Sequence, residues 1–392
     1  MSQGLNIGFI LPALPGFSET FIINKLNGLI QSGFSVSLFV GGEKKTNEIP
    51  KSIPIYFQVD INCKLHLVTT LITIFILHPI RFWRFLFLER ISNRKWTVVF
   101  KHLILNAHIL GKSLDWIHFG FATTAIGKEN VASAMKAKSA VSFRGFDIGL
   151  FPYQHLGCYN LLWKTIDKVH TISNDLYQQA LNLGLNPKTP FEKITPAIDT
   201  DLFFISEKTG LHDPLRILSI GRLTWKKGIE YCLKSLELLK NAGIRFEYRI
   251  VGEGEYREAI IYALHQLNLI ENVSLLGKIP REKVKQEFEW ADIYIQPSIQ
   301  EGFCNAVLEA QAMGLLCIVT NAEGLPENVL DGKTGWVVEK RNPIAINEQI
   351  LTIIESDEED LKKIRNNAIN RVNSTFNIKI QKENFSNFYS NK

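Results

Sequence analysis

The sequence predicts an α/β protein of two doubly wound domains, and three observations lead there. Short apolar strands alternate with segments of helical periodicity along most of the chain. The alternation stops after Asp201 in a charged, turn-rich stretch, SEKTGLHDP, and then starts again. With 392 residues, 46% of them hydrophobic, the chain exceeds what one ordinary core holds. Strands alternating with helices form a parallel sheet covered on both faces, and the ligands of such sheets sit at the carboxyl ends of the strands. Two such sheets facing one another would form a cleft. The domains are expected at 1–204 and 205–372, with the tail 373–392 a helix packing back on the first.

In the first domain, Leu5 to Leu11 reads as a buried strand, followed by a turn with Pro12, Pro15 and Gly16. Ser18 can cap a helix whose apolar stripe is Ile22, Leu26, Leu29 and Ile30, ending at Gly33. Val36 to Val40 is the next strand, and further short strands fall near Trp116-Ile117, Ala140 to Phe143 and Val169 to Ile172. Between them, Leu65 to Leu77 carries no Asp, Glu, Lys or Arg. A bilayer span needs roughly 20 apolar residues, and His78-Pro79 interrupts this one. Arg81, Arg84 and Arg90 then follow among aromatic residues. Apolar bulk beside arginines suits a segment near 65–90 lying on a membrane surface. The alternative is a pair of core helices with solvated arginines.

The second series opens with Leu215 to Ile220, then a helix through Ile229, Leu233, Leu236 and Leu239 up to Gly243. Phe246 to Val251, Val273 to Leu276, Ile293 to Gln296 and Leu315 to Val319 are its further strands. The tail from Thr375 to Tyr389 carries Phe376, Ile380 and Phe385 between polar residues, as an amphipathic helix does.

Composition excludes several classes. Five cysteines without a C-x-x-C pair argue against a disulfide framework or a zinc site, and fit a reducing cytoplasm. Met1 to Gly4 does not lead into a secretory signal. A net charge of +5 does not argue for nucleic acid; it is compatible with acidic ligands or an anionic membrane.

Three strand-end loops of the second domain carry the chemistry. GRLTWKKG, Gly221 to Gly228, places Arg222 beside a strand end and Lys227 at the start of the next helix, an arrangement suited to a diphosphate. Gly252 and Gly254 in GEGE permit close backbone approach to a ligand. In EGFCNAVLEAQAMG, Gly302 frees the backbone before a helix starting near Cys304. The amides of Phe303, Cys304 and Asn305 are then expected to point outward as unpaired donors. Glu309 lies among Ala306, Val307, Leu308 and Ala310, an apolar setting for an acid. A carboxylate there can accept two hydrogen bonds from a ribose diol. Glu301 is also accounted for as an acid at a helix N-terminus.

GRLTWKKG followed by E-G-F-C-N-A-V-L-E resembles the retaining glycosyltransferases of family 4, of GT-B fold, and the resemblance runs from Leu215 to Glu339. LPALPGFSETFI, DWIHFGFA, SFRGFDI and ITPAIDTDLF look like the branch that builds exopolysaccharide, capsule or lipopolysaccharide. The resemblance implies two Rossmann-like domains facing across a cleft. It implies that Arg222 and Lys227 bind the donor diphosphate, Glu309 the ribose and Glu301 the donor sugar. Gly302, Phe303 and Cys304 would give backbone contacts, and Gly277, Lys278 and Ile279 would lie near the base. Gly16 resembles the glycine that lets the backbone approach the donor phosphates. Where many members have His-Gly, with the histidine beside the transferred sugar, this chain has Arg144-Gly145. Arg144 would then contact the sugar or the phosphates, or His118, before Phe119-Gly120, would take the role. Asp147 would orient Arg144 or cap the next turn.

Asp199-Thr200-Asp201 matches the D-x-D pattern of metal-dependent glycosyltransferases but sits in the linker. Arg222 and Lys227 already bring positive charge, so no metal or other cofactor is expected. The implied reaction moves a sugar from a nucleoside-diphosphate sugar to a lipid-linked saccharide acceptor, in a protein bound peripherally to the inner face of the cell membrane. The alternatives are a catalytically silent sugar-nucleotide-binding partner subunit and a sugar-nucleotide 2-epimerase.

Overall fold

The computed structural model describes residues 4–15, 20–42, 49–50, 52–58, 64–205 and 208–390. The chain divides into two compact units, Met1–Ile194 with Gln381–Lys392, and Thr195–Ile380. The first unit thus ends at Ile194 rather than at 204, and regains the chain within its last helix.

The first unit holds seven parallel strands: β1 (Asn6–Leu11), β2 (Ser35–Val40), β3 (Ile55–Phe57), β4 (Trp116–Phe119), β5 (Lys138–Phe143), β6 (Lys168–Thr171) and β7 (Phe191–Lys193), in the order β3-β2-β1-β4-β5-β6-β7. The interior strands are the apolar runs of the sequence. The short edge strands β3 and β7 were not among the expected elements; each has only three residues and none of them fully buried, too short a stretch to read as a strand. The last helix, Ile378–Ser390, buries Phe385, Phe388 and Tyr389 in the core with Ile7, Phe9 and Leu26. The Lys168 ammonium donates to the Phe388 carbonyl at 2.7 Å, fastening this helix to β6.

The apolar segment forms helices Lys64–Leu77 and Pro79–Ile91, bent by 110°. Pro79 has no amide to donate and biases His78 away from helical geometry, which separates the two helices. No single helix among the described residues is long and apolar enough to cross a membrane. Nor do these helices bury their bulk: Ile80 is 71% exposed, Leu77 65%, Phe87 64% and Trp83 60%. The arginines are the surprise. Arg81 donates to the carbonyls of Leu110 and Lys112, and Arg84 donates to that of Ser133. Two of the three arginines therefore turn inward, against the alternative reading of core helices with solvated arginines. Glu89, wholly buried, anchors the same helix by accepting from Arg94 and Asn130 and pairing with His102.

The second unit holds six parallel strands: β8 (Leu215–Ile220), β9 (Phe246–Val251), β10 (Val273–Gly277), β11 (Ile293–Gln296), β12 (Leu316–Thr320) and β13 (Trp336–Val338), in the order β10-β9-β8-β11-β12-β13. Five of them match the strands read from sequence, and β13 is again a short edge strand. The order reverses between β8 and β11. That switch point is where a doubly wound sheet opens a crevice for its ligand.

Candidate functional site

The loops following β8 and β11 lie on either side of this switch point. The Ile299 amide donates to the Lys226 carbonyl at 2.7 Å, joining them. Gly221, Arg222, Lys227, Gln296 and Pro297 line a narrow pocket there. Arg222 is exposed and makes no side-chain hydrogen bond or ion pair among the described residues. Lys227 is different, for its ammonium pairs with the Glu301 carboxylate across the two loops. The side chains are 19% and 17% exposed. Burial acts to lower the Lys227 pKa, but Glu301 together with Cys304 outweighs it and the net shift is upward. Lys226 is shifted down, by burial and then by Arg222.

A polar chain stands behind Glu301. The Tyr294 hydroxyl donates to Gln296 Oε1 at 2.7 Å, Gln296 Nε2 donates to Ser298 Oγ at 2.7 Å, and Ser298 Oγ donates to Glu301 Oε2 at 3.4 Å. The Glu301 amide donates to Glu323 Oε2 at 2.7 Å, and Lys340 Nζ lies 3.4 Å from Glu323 Oε1.

The helix Asn305–Ala312 follows, held by buried Val307, Leu308 and Ala310. Cys304 corrects one expectation. Its amide is not an open donor, because it donates to Asn328 Oδ1 at 3.0 Å while Asn328 Nδ2 donates back to the Cys304 carbonyl at 3.0 Å. The amides of Gly302, Phe303 and Asn305 make no hydrogen bond among the described residues. Glu309 is half-buried, and its carboxylate has no hydrogen-bond or ion-pair partner among the described residues. Burial pushes its pKa up to about 7, and the charge of Arg281 offsets this only in part.

Gly252 and Gly254 are required by the fold itself. A Cβ on Gly252 would stand 1.8 Å from the Gly221 carbonyl oxygen, and one on Gly254 would stand 2.2 Å from that of Leu223. The backbone they admit is that of the β8 loop, so these glycines shape the Arg222 loop. The Gly252 amide donates to the Gly277 carbonyl at 2.8 Å, joining the ends of β9 and β10. Lys278 is exposed and Ile279 half-buried just beyond.

In the first unit, His118 must be corrected. It is fully buried, bonded to Lys25 Nζ at 3.1 Å, Ser142 Oγ at 2.7 Å and the Tyr389 hydroxyl at 2.7 Å. Burial, then the charge of Lys25, hold its pKa well below the usual value. It ties β4 to the last helix and has no surface at which to meet a sugar. Arg144 is half-buried, its guanidinium carbon 4.1 Å from the centre of the Phe21 ring. Asp147 caps backbone rather than fixing that guanidinium by a hydrogen bond. Its carboxylate accepts from the amides of Ala122, Arg144 and Gly145 at 2.9, 2.9 and 3.0 Å. Gly16 lies outside the described residues, as does Ser18. Asp199 of the D-x-D accepts the Asp201 amide at 3.1 Å.

Sequence reading missed Gln296, Ser298, Glu323 and Asn328. Only Glu323 left a usable signal: Glu323-Gly324 after β12 repeats the strand-end pattern of Glu301-Gly302 after β11.

Residues 203–371 match the family described as glycosyl transferases group 1. WcaL of Escherichia coli strain K12, designated a colanic acid biosynthesis glycosyltransferase, is 26% identical over 96% of this chain and 97% of its own length. The amylovoran biosynthesis glycosyltransferase AmsK of Erwinia amylovora is 29% identical over 67% of this chain and 66% of its own. Among solved structures, Anabaena HepE in complex with UDP superposes with a TM-score of 0.73 at 14% identity, covering 99% of this chain and 100% of that one. The architecture is accordingly GT-B, two Rossmann-like domains. With a group 1 domain built around the β8–β11 switch point, this chain is a glycosyltransferase.

Proposed function

We propose that the chain is a retaining glycosyltransferase of family 4 that transfers a sugar from a nucleoside-diphosphate sugar to a lipid-linked saccharide in cell-surface polysaccharide synthesis. The observation that carries this is Glu309, a half-buried carboxylate without a protein partner among the described residues, on the helix that leaves the switch point. An unsatisfied buried carboxylate is costly, and a ribose diol would satisfy it. Arg222, Lys227 and the amides of Gly302, Phe303 and Asn305 would take the diphosphate. Glu301 would meet the sugar, and Gly277 to Ile279 the base. Arg144 would serve the sugar or the phosphates.

In the transfer, the bond between the anomeric carbon and the diphosphate oxygen breaks, and a bond from that carbon to the acceptor oxygen forms on the same face. The acceptor proton passes to the departing diphosphate, whose growing charge Arg222 and Lys227 stabilise. These two cations supply what a divalent ion would otherwise bring, so the reading needs no metal. The names of WcaL and AmsK support the polysaccharide setting, and the UDP held by HepE supports a nucleotide donor.

The acceptor reading rests on the helices Lys64–Leu77, Pro79–Ile91 and Trp96–Leu110. Their exposed Ile76, Leu77, Ile80, Trp83 and Phe87 form an apolar surface suited to a bilayer interface, with exposed Lys95 and Lys101 beside Trp96 and Phe100. We place the protein on the cytoplasmic face of the membrane.

A panel of nucleoside-diphosphate sugars tests the donor by thermal shift, since bound donor stabilises by mass action. NMR of the product anomer then tests retention. Arg222→Ala should lower turnover; wild-type turnover in that variant, or an inverted product, would sink the corresponding part of the reading.

A further inference from the structure

We propose that Glu323, at the end of β12, is a positioning residue that sets where the Glu301 carboxylate stands and so governs recognition of the donor sugar. The inference rests on the reading of Glu301 as the sugar contact.

Glu323 has φ +32°, a left-handed conformation that a residue with a side chain rarely adopts. The neighbouring glycine does not take this conformation, since Gly324 has φ −82°. Backbone held in such a region persists only where its surroundings over-determine it, and such residues cluster at functional sites. Here the surroundings form a clamp. Glu323 Oε2 accepts the Glu301 amide at 2.7 Å, and the Gly324 amide donates to the Glu301 carbonyl at 2.9 Å. Both polar groups of the Glu301 backbone are thereby fixed from the end of β12.

The clamp is itself anchored. Lys340 Nζ lies 3.4 Å from Glu323 Oε1, and the Lys340 amide donates to Asn321 Oδ1 at 2.9 Å. Thr320 Oγ1 donates to the Ser298 carbonyl at 2.6 Å, joining the ends of β11 and β12 a second time. With its main chain held, Glu301 can exchange the Lys227 ammonium for a ligand hydroxyl by side-chain rotation alone. A carboxylate hydrogen-bonded to a main-chain amide is a strong, directional contact, and an amide side chain preserves its geometry without the charge.

The test separates the carboxylate from the strained turn. Glu323→Gly relaxes the positive φ and removes the acceptor, whereas Glu323→Gln keeps an acceptor oxygen. The probe is whichever UDP- or GDP-sugar most raises the wild-type melting temperature, with the matching free nucleotide as control, both by calorimetry. In Glu323→Gly, Kd for the sugar nucleotide should rise about tenfold, while Kd for the free nucleotide and the melting temperature stay at wild-type values or better. Glu323→Gln should restore sugar-nucleotide affinity to within about threefold of wild type. Equal affinity of wild type and Glu323→Gly for the sugar nucleotide overturns the proposal, as does an equal loss for both ligands. Glu301→Ala distinguishes the two levels. If it binds the sugar nucleotide like wild type, the donor-site reading fails. If it is weakened while Glu323→Gly is not, only the positioning role fails.

Discussion

The Lys227 ammonium and the Glu301 carboxylate form an ion pair across the loops that follow β8 and β11. Each is the other's partner where the proposed donor would need both, so on that proposal donor binding exchanges the pair for contacts to phosphate and sugar. Removing one partner leaves the other as an uncompensated, largely buried charge. Lys227→Ala should therefore lower the melting temperature and weaken free-nucleotide binding. Glu301→Ala, which frees Lys227 for phosphate, should bind free nucleotide at least as tightly as wild type while turnover falls about 100-fold. Titrating both variants with nucleotide and measuring transfer checks this; weaker nucleotide binding in Glu301→Ala would contradict the exchange.

Glu309 gives the site a pH dependence. Burial raises its folded-state pKa to about 7, above the ordinary glutamate value. The folded protein thus holds this proton more tightly than the unfolded chain. The stabilising contribution is complete at acid pH and is lost as pH rises from the ordinary glutamate range through 7. Under the proposed function donor binding runs the other way, because a diol needs the ionised carboxylate as acceptor. Donor affinity should rise between about pH 6 and 8, and Glu309→Gln should flatten that profile. A wild-type profile without this limb would remove Glu309 from the ribose.

His118 should prove structural. His118→Ala strips Lys25, Ser142 and Tyr389 of a buried partner, at a cost of about 2–4 kcal/mol. Chemical denaturation should detect that loss, with donor KM unchanged. Wild-type stability together with lost turnover would return His118 to the chemistry.

Membrane binding should be apolar in character. Arg81 and Arg84 are tied to backbone carbonyls, so the proposed anchoring surface is Ile76, Leu77, Ile80, Trp83 and Phe87. In flotation assays the protein should bind neutral vesicles and resist salt, with Lys95 and Lys101 adding about 1 kcal/mol each on anionic ones. Trp83→Ser with Phe87→Ser should release it. Complete release of wild-type protein by moderate salt would point instead to charge alone.

Much of the architecture is legible in the sequence because interior strands of a parallel sheet are apolar runs. Leu215–Ile220, Phe246–Val251 and Ile293–Gln296 fall where their residues predict. The edge strands β3, β7 and β13 have three residues each, too short to stand out as such runs. At the site, the E-x7-E spacing and the basic turn expose the residue types but not their partners. That Lys227 meets Glu301, that Asn328 closes the Cys304 amide and that Glu323 holds the Glu301 backbone all depend on which strand ends are neighbours. Composition likewise reports arginines among aromatics near residue 81 without saying which way their heads turn.

Under the proposed function the β8–β11 switch point holds a nucleoside-diphosphate sugar through Glu309. Calorimetric titration of wild type and Glu309→Ala with the sugar nucleotide that most stabilises the wild type tests it most directly. The variant should stay folded, with a melting temperature no lower than wild type because an unpartnered half-buried acid is gone, and binding should weaken at least about tenfold. A folded Glu309→Ala that binds the sugar nucleotide as tightly as wild type would contradict it.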